Sequence, residues 1–212
     1  MNTPEEYAME DFYDQISREL YPEHKEHAIE EFTEEKLKSY YKKNPNVMRP
    51  AVDAIQEGNW QLNQERYSAS LIFYVTAIEL LLKATLLRPV LHGLIHNEGL
   101  AEIMTNHILG QTGIVRYESL LSQLFENITG IKLDEIINED TQQKIFSECK
   151  QIQKIRNNVI HQGKACTKNE ASKAKMVSIT VFEKIVQPML HSIGLNVIEK
   201  GEIIDRVQIN QL

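Results

Sequence analysis

The residues best placed to do chemistry are Arg156 and His161, in the string Arg156-Asn157-Asn158-Val159-Ile160-His161 near the end of a helical segment. A guanidinium is suited to holding phosphate, and an imidazole is the side chain that moves a proton near neutral pH. On a wheel of about 100° per residue, Ile145, Cys149, Ile152 and Val159 form a buried stripe, flanked by Ile155 and Ile160. Arg156 falls in the middle of that stripe, four residues after Ile152 and three before Val159. A guanidinium there is salt-bridged, snorkels out of the bundle end, or lines a cleft or subunit interface. Asn157 and His161 are four apart and share a face. His161 occupies the last turn before Gly163, where unsatisfied carbonyls favour a charged imidazole; it either caps the helix or serves as a proton carrier. On one ideal helix Arg156 and His161 point about 140° apart. Convergence then needs local unwinding, the reach of the Arg side chain, or a second copy of the helix across a two-fold axis, which favours a dimer.

The elements that must position this string read as helices almost throughout. Segments 5–20 and 24–43 are charged and helical in composition, interrupted by Pro22 and closed by Asn44-Pro45. Pro50 suits the first turn of the next helix, and Gly58 is a candidate kink. From Trp60 to Leu87 the pattern predicts one long helix, apolar on every side from Leu71 to Leu82 and so central to a bundle, ending at Pro89. It carries Glu79 and Lys83, a pair at i,i+4; a carboxylate in such surroundings needs a cation, supplied by Lys83 or by Arg156. As an ion pair it is architectural; as part of a site it orients Arg156 toward a phosphate. Residues 90–114 are irregular, and Val115–Asn127 is amphipathic. Asp140 with Gln143 resembles a capping box opening the helix to His161, and Gly163 stops it. Thr167 with Glu170 is a second box, opening a helix to about Ser192 that Pro188 should kink. The tail alternates Val/Ile with charge around Lys200-Gly201, the pattern of a small hairpin. The sum is an all-α, antiparallel four-to-five-helix bundle over 50–194, with an acidic helical N-terminal arm (1–49) and a C-terminal tail (195–212).

Composition narrows the class. The chain has 212 residues and a net charge of −7, but 12 of its 30 acids fall in residues 1–35, against only two bases there. The remainder holds 18 acids and 21 bases, a mildly basic body fit for nucleic acid. Two cysteines, Cys149 and Cys166, have neither metal nor disulfide spacing, which points to a reducing cytoplasm. No secretory pattern opens the sequence, and the run Leu71–Leu82 is shorter than a membrane span, so no membrane partner is expected.

The segments Ala77-Ile78-Glu79-Leu80-Leu81-Leu82-Lys83-Ala84 and Ile155-Arg156-Asn157-Asn158-Val159-Ile160-His161 together resemble the HEPN superfamily, over roughly residues 50–192. The resemblance implies a helical bundle, commonly dimeric, with an Arg-x(4–6)-His motif in the dimer cleft. Many members are RNases of toxin–antitoxin, CRISPR-linked or phage-defence systems that cut without metal or cofactor and leave 2′,3′-cyclic phosphates. It assigns proton transfer to His161, the scissile phosphate to Arg156, positioning to Asn157, and support of Arg156 to Glu79, with Lys83 beside it. RNA brings its own nucleophile in the 2′-hydroxyl, so the protein need only move protons and neutralise charge. Expected partners are RNA, a second copy, and an antitoxin or defence protein. One subfamily carries a Tyr two residues after the His, the target of a nucleotidyltransferase antitoxin; Gly163 stands there, so that control is not expected. Other members are non-catalytic modules that bind a partner protein or nucleotide, which is the alternative function.

Weaker signals rank below this one. His92, His96, Glu98 and His107 lack a metal-binding arrangement and read as a surface or RNA-facing loop. Trp60, Tyr67 and Tyr74, seven apart, read as packing rather than base stacking. Tyr40-Tyr41-Lys42-Lys43 reads equally as a nucleic-acid contact or a solvated helix end.

Overall fold

A computed structural model describes residues 34–89, 99 and 118–206. Its first helix, α1 (34–43), buries Leu37 and Tyr41, four residues apart and therefore on one face. The Asn44–Met48 turn leads into α2 (Arg49–Asn63), which has a proline in its first turn, where a missing N–H costs nothing. The long helix expected from Trp60 is instead broken at Gln64–Arg66, with Glu65 in the left-handed region at φ 57°. Four polar or charged residues in a row, Asn63 to Arg66, give that stretch no face to bury. Folding back there lets α2 lie along α3 (Tyr67–Glu79). Gly58 is not a kink but the close-approach point: a Cβ there would lie 2.7 Å from the Tyr74 ring, and Ser70 Oγ donates to the Gly58 carbonyl at 2.8 Å.

Helix α3 runs on as a π-helical segment, Leu80–Leu87. The continuous helix Tyr67–Leu87 is long and apolar enough to cross a membrane, but most of its apolar stretch is buried inside the protein. It forms the centre of the bundle, packed by α2, α5 and α6. The expected helix at Val115–Asn127 is α4 (Glu118–Thr129). Next comes α5 (Ile145–Gln162), which begins two residues after the anticipated box. Its N-cap is Lys144 with no side-chain bond; Asp140 and Gln143 lie in a turn built by Asn138, whose Oδ1 accepts from the Asp140 N–H at 3.1 Å. The turn needs Gln142 at φ 55°, which is incompatible with helix there.

Gly163 ends α5 at φ 65°, as expected. The Thr167–Glu170 box is present with both reciprocal bonds and opens α6 (Lys168–Val181). A π-helical turn, Phe182–Val186, joins α6 to α7 (Gln187–Ser192). Pro188 thus falls in the first turn of α7, directly after the widened turn. Gly194 turns the chain into β1 (Leu195–Val197), paired antiparallel with β2 (Ile203–Asp205).

The architecture is an all-α bundle with one two-stranded appendage. The core does not begin at residue 50: Leu37, Tyr41 and Met48 belong to it, as do Leu195 and Ile203 of the tail. The Ile203 N–H donates to the Pro45 carbonyl at 2.8 Å, tying the hairpin to the α1–α2 turn. Residues 90–98 and 100–117, with His92, His96, Glu98 and His107, lie outside the described residues.

Candidate functional site

Helix α5 positions the Arg156–His161 string. Ile145, Cys149 and Ile152 are fully buried, Ile155 and Val159 partly so, and Arg156 is partly buried on the same stripe. Burial pushes the Cys149 thiol up to about 12, so it is an inert core group. The α5 helix stays α-helical through Gln162, with the backbone N–H groups of Gly163 and Lys164 both turned back to the Asn158 carbonyl. No unwinding therefore swings His161 toward Arg156. Asn157 and His161 share the exposed face, and the Arg156 guanidinium leans toward it: Nη1 donates to Asn157 Oδ1 at 3.2 Å. Its Nε is buried without a hydrogen-bond partner, and the described residues offer it no carboxylate. A guanidinium in that state retains most of its capacity for an anion.

Glu79 does not reach Arg156. Its carboxylate accepts from Gln153 Nε2 at 3.2 Å, nearly one turn earlier on α5. Lys83, four residues after Glu79, lines with Tyr40, Lys43 and Arg88 a cleft of about 720 Å³ between the π-helical segment and the α1–α2 turn. The structure thus brings Arg156, Asn157 and His161 to one helix end, and separates Glu79 and Lys83 from them. Tyr41, read as half of a possible nucleic-acid contact, is core: its hydroxyl donates to the Thr85 carbonyl at 2.6 Å. Lys42 pairs with Asp205 at 3.0 Å.

Two features escaped the reading of the sequence. Gln153 is the residue through which α5 holds Glu79, and no spacing rule marks a neutral amide for that role. Glu148 is wholly buried, with Oε2 accepting from Asn138 Nδ2 at 2.8 Å and Oε1 3.7 Å from Lys173 Nζ. That second contact is an ion pair by distance only, because Oε1 has no hydrogen bond. Glu148 was legible: it lies three residues after Ile145 and four before Ile152, on the apolar stripe. Across the loop after α5, the Cys166 N–H donates to Ser68 Oγ at 3.1 Å, so the His161 end of α5 sits by the start of α3. In comparisons with known proteins, no family model, curated protein or solved structure matches the chain.

Proposed function

We propose that the chain is a metal-independent endoribonuclease of the HEPN type, acting in a toxin or phage-defence setting, with Arg156, Asn157 and His161 as its working residues. The observation that carries this reading is the state of Arg156: a partly buried guanidinium with no carboxylate, held by Asn157 on the side of the helix where His161 is exposed. In the reaction, the 2′-hydroxyl of the RNA attacks the adjacent phosphorus and the 5′-oxygen leaves, giving a 2′,3′-cyclic phosphate and a 5′-hydroxyl. His161 takes or returns the proton, and Arg156 neutralises the charge that builds on the phosphate oxygens. Asn157 keeps the guanidinium aimed. Because α5 does not unwind, His161 is not swung onto Arg156 within one chain. The productive cleft is therefore assembled from two copies, with Ile160, 45% exposed beside His161, as an apolar contact in the seam.

The test is RNA cleavage in EDTA by the wild type, Arg156→Ala and His161→Ala. The expected outcome is cyclic-phosphate product from the wild type and a loss of at least about 100-fold in each variant. A folded wild type that leaves RNA intact, free of any antitoxin, would sink the reading and favour the non-catalytic module that binds a partner protein or nucleotide.

A further inference from the structure

The feature left unused by this site is Trp60, the only tryptophan of the chain, which is 50% exposed in the last turn of α2. Tyr74, on the same seven-residue spacing, is fully buried and Tyr67 packs against the core, as expected, but Trp60 stands outside that packing. The Arg66 guanidinium carbon stands 5.8 Å from the Trp60 ring centroid, near the outer limit of a cation–π contact. An exposed indole beside an exposed cation is what a nucleotide needs: an aromatic plane for its base to stack on and a charge for its phosphate.

Position supplies the second argument. Arg66 caps the start of α3, and Ser68, two residues on, bonds the Cys166 amide in the loop that follows His161. Cys166 is five residues on from His161, at most about 18 Å of chain. Trp60 and the Arg156–His161 face therefore belong to the same end of the bundle. Cations are exposed there: Arg66, Lys164 and Lys168. Glu57 and Glu170 accept hydrogen bonds from Gln61 and Thr167 and keep their charge. With Glu65, next to Arg66, they are the acids a strand must pass.

We propose that Trp60 and Arg66 form a platform on which an unpaired base of a single-stranded RNA stacks while its backbone runs toward Arg156 and His161. The identity of the strand rests on the ribonuclease reading; the platform itself rests on the exposed indole, its cation and their place. Trp60 then acts in binding, and Arg66 serves the flanking phosphate.

Because Trp60 is the sole indole, it reports directly. The full chain carrying His161→Ala, so that no strand is cut, is titrated at low salt with a short oligoadenylate. The expected result is saturable quenching of the Trp60 emission. With a dye-labelled strand, Trp60→Ala on the same background should weaken binding about tenfold or more, Trp60→Phe should restore most of it, and Arg66→Ala should weaken it with a shallower salt dependence. Unquenched emission at saturation, unchanged affinity in Trp60→Ala, or equal quenching by heparin, which has charge but no bases, would each overturn the platform. A strand that binds and quenches but is never cut by the wild type keeps the platform and removes the nuclease. Wild-type KM for cleavage by Trp60→Ala removes the platform and keeps the nuclease.

Discussion

Two charged side chains share the buried stripe of α5, and they meet opposite fates. Glu148 is sealed in and held through one oxygen by Asn138 from the preceding turn, with Lys173 of α6 near the other. Arg156, two turns on, is left with one neutral partner. The wheel placed Arg156 on the apolar face, and Glu148, not noted there, falls on it by the same spacing, so both conflicts were visible in the sequence. Which of them had a partner was not, because Asn138 reaches Glu148 only through a turn whose shape no periodicity encodes. Removing that partner should be costly. Asn138→Ala is expected to destabilise the fold by about 2–3 kcal/mol, since a buried carboxylate loses its one hydrogen bond. Glu148→Gln, which removes the charge, should cost less. Urea unfolding checks this, as a lower midpoint at unchanged slope.

At the scale of elements, two capping-box patterns of like composition behaved differently. Thr167 and Glu170 cap α6 in full, with the Thr167 N–H and hydroxyl each donating to Glu170 Oε2 at 2.8 Å. Asp140 and Gln143 cap nothing, because Asn138 captures the local amides first. Local motifs thus predict a helix start only where no competing turn consumes the same donors. The break between α2 and α3 was missed for a related reason: the apolar pattern resumes across it without a glycine or proline to mark the fold-back. The hairpin, by contrast, was legible from Lys200-Gly201 and the alternation on either side. The bonds from Thr167 hold the Glu170 carboxyl below its usual range. A lowered folded value stabilises above the unfolded value and fades as pH falls through the folded one. The melting-temperature gap between wild type and Glu170→Gln should therefore be present at neutral pH and close on acidification. A constant gap across that range would count against it.

At the scale of the whole molecule, the straightness of α5 decides how the proposed site can be assembled. If Arg156 of one copy serves His161 of the other, the two inactive variants should complement each other. Mixing Arg156→Ala with His161→Ala and allowing exchange makes half the dimers hybrid, each with one intact site of two, so about a quarter of wild-type activity should return. No recovery on mixing, with exchange verified, would place both groups of a site on one chain. Light scattering should give twice the chain mass for the wild type.

The bond from the Tyr41 hydroxyl to the Thr85 carbonyl has a consequence for what counts as the smallest working unit. The two residues are 44 positions apart, and the acceptor belongs to the widened π-helical part of the central helix. A chain trimmed to residues 50–194, where the helical pattern alone would cut, keeps every motif residue yet loses the phenol that plugs that turn. It would also lose Leu37 from the core and the strand that clasps Pro45. The opening helix is in this sense a keystone set from outside, and the motif at the far end of α5 stands on a bundle that is whole only when α1 has docked.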